Sequence, residues 1–99
     1  MAWYSVRCLF EWGTGTYEER ITMWEASSFE EAIALAEAEA VKYAAETVTP
    51  QYIGLAQCYE ISDGRPQAGD EIYSLLRDSD LQADEYLSSF FDTGRERQG

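Results

Sequence analysis

The sequence predicts an α+β fold: a two-layer sandwich, β-β-α-β-β-α, in which a four-stranded antiparallel sheet carries both helices on one face. Three observations carry this expectation. A capped, alanine-rich run from Ser27 to Glu46 has the period of an amphipathic helix. Before it, two alternating runs flank Gly13-Thr14-Gly15, the signature of a β-hairpin. After Pro50 come two more apolar runs and a second, shorter helical pattern.

The first strand, Trp3 to Glu11, alternates cleanly. Tyr4, Val6, Cys8 and Phe10 point one way, and Trp3, Ser5, Arg7, Leu9 and Glu11 the other. The second, Tyr17 to Glu25, is assigned an inward set of Tyr17, Ile21 and Met23, with Arg20, Thr22 and Trp24 facing out. The helix then opens on Ser28 and Glu31, spaced as a capping box that satisfies orphan N–H groups. Glu30 and Glu31 also lie at the positive end of its dipole. Phe29, Ala32, Ile33, Ala36, Ala40, Tyr43 and Ala44 share one face, mostly alanine, which lets the helix lie close to what it covers. Leu35 and Val41 fall off that stripe.

Pro50 ends the connection, and Tyr52 to Ile61 forms a third strand with a bulky set (Ile53, Leu55, Tyr59, Ile61) and a small one (Gly54, Ala56, Cys58). A loop holding Asp63-Gly64-Arg65-Pro66 and Gly69 leads to a fourth strand, Glu71 to Arg77. Leu81 and Tyr86 bracket an N-cap at Gln82 as a hydrophobic staple, so a helix is expected from about Ala83, carrying Tyr86, Leu87, Phe90 and Phe91 and ending at Gly94. Residues 95–99 read as a flexible tail of a single domain spanning residues 1–99. This order is a circular permutation of the ferredoxin-like one, and the right-handed crossover rule gives a sheet order of 1-2-4-3. A simple meander is the alternative.

Composition narrows function chiefly by exclusion. Ninety-nine residues with fourteen aromatics suffice for one small core, and no stretch approaches a membrane span. The start, Met1 into Trp3-Tyr4-Ser5-Val6, lacks the basic and small-residue features of a secretory signal, which points to the cytoplasm. Cys8 and Cys58 then read as buried thiols. The net charge of −12 opposes nucleic-acid binding and favours a basic protein partner. There is no histidine, so the commonest general base and most metal sites are missing. Asp78-Ser79-Asp80 begins like a calcium loop, but Ala83 and Ser89 stand where Gly and a bidentate Glu are needed. Neighbours on a strand, Glu18 and Glu19 point to opposite faces and make no acid–base pair. No cofactor is implied, and the expectation is that the protein is not an enzyme.

The candidate functional residues are those that a sheet covered on one side would leave outside. Trp3, Arg7, Arg20, Trp24 and Tyr73 combine aromatic side chains with arginine, the composition of interface centres. They are the expected partner-binding set, and a homodimer packed through this face is the expected assembly.

The stretches WYSVRCLFE, YEERITMWEASSFEEAIALAEAEA, YIGLAQCYE and SLLRDSDLQADEYLSSFFDTGRERQ together resemble the small bacterial proteins grouped as domain of unknown function 4288. Trp3-Tyr4-Ser5-Val6-Arg7, Tyr17-Glu18-Glu19-Arg20 and Phe91-Asp92-Thr93-Gly94 are the most specific parts. The resemblance implies a stand-alone domain and lends no catalytic residue. The functional expectation is therefore a non-enzymatic acidic interaction protein that self-associates or binds a basic partner, in its sharpest form an immunity-type inhibitor. The rival is a binder or enzyme for a small anionic molecule, held by the outer-face aromatics and arginines.

Overall fold

A computed structural model describes residues 1–76 and 78–85. Strand β1 (Ala2–Trp12) and strand β2 (Thr16–Ala26) form the expected hairpin, helix α1 (Phe29–Thr47) follows, and strand β3 (Pro50–Ser62) returns antiparallel to β1. The sheet order is β2-β1-β3, with β1 in the centre. The α+β class stands, but the described residues hold three strands rather than four, so the expected 1-2-4-3 order does not apply. None of the described helices is long and apolar enough to cross a membrane.

The centre of the sheet is the most apolar part of the chain. Tyr4, Val6, Cys8 and Phe10 all point to the helix side and are buried, as the alternation requires. Helix α1 meets them through Ala32, Ala36 and Ala40, each at most 1% exposed, so the two backbones approach closely. Aromatic rings close the ends of this layer. The rings of Tyr4 and Phe29 meet edge-on at 5.0 Å, and Phe10 packs on Tyr43 at 5.1 Å and Tyr52 at 5.5 Å. Leu35 and Val41 are exposed, in keeping with their place off the stripe.

Both ends of α1 have local causes. Ser28 Oγ accepts from the Glu31 N–H at 3.1 Å, and Glu31 Oε1 accepts from the Ser27 N–H at 2.8 Å, a capping box that reaches back one residue beyond the cap. At the other end Val48 donates its N–H to the Ala44 carbonyl and adopts φ 77°, ψ −53°, while the Thr49 N–H donates to the Thr47 carbonyl at 3.0 Å. This is the rare positive-φ γ-turn, strained for a β-branched residue.

Two corrections follow. The first concerns β2. Its register places Trp24 opposite Tyr4, Thr22 opposite Val6, Arg20 opposite Cys8 and Glu18 opposite Phe10. Residues opposite each other share a face, so Glu18, Arg20, Thr22 and Trp24 lie on the helix side, and Tyr17, Ile21 and Met23 lie outside. The expected facing of β2 is inverted. The second concerns the fourth strand. Residues 71–76 join no ladder; they run across the outer face of the sheet. Of the two edges of the sheet, that of β3 is irregular. Strand β3 shifts register against β1 between Trp3 and Tyr4 and between Cys8 and Phe10, with Gly54 at φ 82° in the second break, so it offers no continuous row of pairing groups. The second helix falls only in part within the described residues. Residues 83–85 are helical, close to the expected start, while its continuation to Phe91, the stop at Gly94 and the tail at 95–99 lie outside the described residues, as does Arg77.

Candidate interaction site on the outer sheet face

The outer face collects the odd-numbered residues of β1 and β2 with Gln51, Gln57 and Tyr59 of β3. Its centre is Arg7, whose side chain is 11% exposed. Arg7 Nη1 donates to Glu19 Oε1 at 2.8 Å, and Nη2 donates to Gln57 Oε1. The Tyr73 ring covers the guanidinium at 5.3 Å. A charge this enclosed needs both the carboxylate and the aromatic face to offset its lost hydration.

The crossing segment is fastened at several points around that arginine. Ser5, only 1% exposed, donates its hydroxyl to the Ile72 carbonyl. Tyr59 donates to Glu71 Oε1 at 2.9 Å, and Tyr73 donates to Gln57 Oε1 at 3.1 Å. The rings of Tyr59 and Tyr73 lie 6.0 Å apart. Side chains, rather than a backbone ladder, hold this strap in place. Its turn is set by Asp70, whose N–H donates to the Gln67 carbonyl and whose carboxylate accepts from the Gln67 N–H.

Of the five expected partner-binding residues, Arg7 and Tyr73 are in contact on the outer face, and Trp3 lies on the same side of β1, half-buried. Arg20 and Trp24 lie on the opposite face and are not part of that surface. Arg20 is tied to Glu39 of α1 and stacks 4.0 Å above the Tyr43 ring. Its pKa is raised, first by the hydrogen bond to Glu39. Trp24 packs against the core and donates Nε1 to Thr22 Oγ1 at 2.7 Å. Glu18 completes this helix-side network by accepting from Tyr43 at 2.9 Å and from Trp12 Nε1 at 3.1 Å.

Residues missed from sequence take the outer positions of β2. Tyr17, Ile21 and Met23 are 61%, 44% and 51% exposed and form an apolar stripe beside Glu19 and Glu25. The signal for them was the hairpin itself. Three loop residues between Trp12 and Thr16 put even-numbered residues of both strands on one face, whatever their hydrophobicity.

The thiols and the half-buried Tyr52 hold their protons. Burial raises the pKa of Cys8 and of Cys58, holding both as thiols rather than nucleophilic thiolates. Tyr52, which donates to Glu37 Oε2 at 2.5 Å, has its pKa raised first by burial and then by that bond. No group of three potential ligands is gathered for a metal among the described residues. Arg7, Arg20 and Lys42 each pair with a glutamate of the chain, so the charge presented outward is dominated by the remaining acids. The chain matches no family model, no curated protein and no solved structure.

Proposed function

We propose that this chain is a non-enzymatic, acidic interaction protein that acts by self-association or by receiving a basic protein partner. One observation carries the reading. The two arginines of the sheet are paired with glutamates of the same chain, while a stripe of Tyr17, Ile21 and Met23 stands exposed among acids on the outer face. Exposed apolar area rimmed by one sign of charge suits a contact surface, with burial supplying affinity and charge choosing the partner.

The rival reading, capture of a small anion by arginines and aromatics, has less to support it. Arg7 lies beneath Tyr73 and bound to Glu19, Arg20 lies beneath α1, and the two are on opposite faces of the sheet.

The two forms of the proposal separate by salt. Self-association of a chain with net charge −12 strengthens as repulsion is screened, whereas binding of a basic partner weakens. Sedimentation of the full chain at micromolar concentration, in low and high salt, reads the first. Titration with an arginine-rich peptide, followed by tryptophan fluorescence, reads the second. A chain that stays monomeric at both salts and also ignores the peptide overturns the proposal.

A further inference from the structure

The two edges of the sheet are built differently. Strand β3 begins at Pro50 and breaks register twice, devices that keep an edge from pairing with a neighbour. Strand β2 has none of them. Its eleven residues pair with β1 without a shift, and among the described residues nothing pairs with its other side. Alternate residues therefore present backbone N–H and C=O groups outward along the strand. A lone edge strand commonly protects itself with a charge in mid-strand. The mid-strand charges of β2 are instead drawn along its two faces: Arg20 onto Glu39 and Tyr43, Glu18 onto Tyr43 and Trp12, and Glu19 onto Arg7.

We propose that β2 pairs antiparallel with β2 of a second copy, joining two three-stranded sheets into one of about six, with the two-fold axis at Ile21. This rests on the self-association form of the function proposed above and names its surface. The choice of occupant comes from the strand's own charges. When β2 is laid against itself about Ile21, Tyr17 meets Glu25, Glu18 meets Trp24, Glu19 meets Met23 and Arg20 meets Thr22, counting residues from the order of the chain. No like charges face each other, and all eleven residues overlap. Neighbouring registers that keep the same faces together are worse. Centring on Thr22 sets Glu19 against Glu25 of the other copy, and centring on Arg20 sets that arginine against itself. Like charges directly opposite are destabilising in a sheet, so one register is singled out. The pairing also brings the two stripes of Tyr17, Ile21 and Met23 together on one face, where each covers part of the other.

The axis makes the test specific. In antiparallel pairs opposed Cα atoms lie about 4.5–5.5 Å apart, within reach of a disulfide. Ile21→Cys in the full chain should form a covalent dimer on mild oxidation. Met23→Cys should not, because its symmetry mate lies four residues away along the strand, about 13 Å. The unsubstituted protein, with its own Cys8 and Cys58, is the background. In sedimentation, Ile21→Glu should raise the dimer dissociation constant at least about tenfold by setting two carboxylates across the axis. Met23→Lys should lower it by facing Glu19 of the other copy twice, whereas Val41→Lys, an equal change of charge on the outside of α1, should do much less. Circular dichroism confirms the fold of each variant. A native dimer that keeps its affinity in Ile21→Glu, or that cross-links equally through both cysteine variants, overturns the β2 pairing while leaving self-association standing. A native monomer at every salt concentration overturns both.

Discussion

Ala36→Leu tests the central packing relation of the fold. Ala32, Ala36 and Ala40 are each at most 1% exposed, and Val6 and Phe10 on the facing strand are fully buried. The helix thus rests closely on the sheet at its middle turn. Leucine adds three carbons there, which forces either off-rotamer side chains or a lifted helix, at a cost of about 1–3 kcal/mol. Alanine and leucine have nearly the same helix propensity, so the backbone contributes little to the difference. For a domain of this size the loss corresponds to a Tm lowered by roughly 5–20 °C. Ala38→Leu is the control: the same change in the same helix, at an exposed position, expected to stay within about 0.5 kcal/mol. Thermal and urea melts of the pair, followed by circular dichroism, provide the comparison. If Ala36→Leu melts with Ala38→Leu and with the parent protein, the alanine stripe is not the contact that sets the spacing of the layers.

Three further outcomes are expected. Trp24→Glu places a carboxylate against the helix-side core, so it should lower stability by about 3 kcal/mol or more instead of merely changing the assembly; a parent-like urea midpoint would return Trp24 to the outer face. Val48→Gly relieves a valine held at φ 77° on an 82% exposed residue and should raise stability by about 1 kcal/mol, less the added chain entropy of glycine. An unchanged or lowered urea midpoint would mean the γ-turn carries no strain. Tyr52 gives a pH signature: burial, and then its bond to Glu37, raise its pKa in the folded chain above the unfolded value of about 10. The unfolded chain ionises first, so this contribution is whole below pH about 10 and is lost as pH rises beyond it. Tyr52→Phe should flatten the alkaline fall of stability, and parallel curves for parent and variant would show that Tyr52 takes no part in it.

Much of the framework was legible because it rests on local rules. The faces of β1 follow from strict alternation, the start of α1 from Ser28 and Glu31, and its close approach from the alanine spacing. The segment around Tyr73 was misread for a non-local reason. Ile72 and Tyr73 have strand-like composition, but whether such a stretch joins an edge depends on the edge, and the breaks in β3 around Gly54 are invisible in the sequence of 71–76. It lies instead where Ser5 and Arg7 supply partners. Two of the five expected site residues, Arg20 and Trp24, were misplaced together, because a single error of facing moves every residue of a strand.

That error also says what kind of surface β2 makes. An antiparallel sheet with one covered face ordinarily turns its apolar residues toward the cover. Here the hairpin register sets the facing, and beside Trp24 the helix side of β2 holds Glu18, Arg20 and Thr22. Their polar groups are satisfied by Tyr43, Trp12, Glu39 and Trp24, so the inversion leaves the inner face without a deficit. The cost falls on the outer face, where Ile21 and Met23 remain in contact with water.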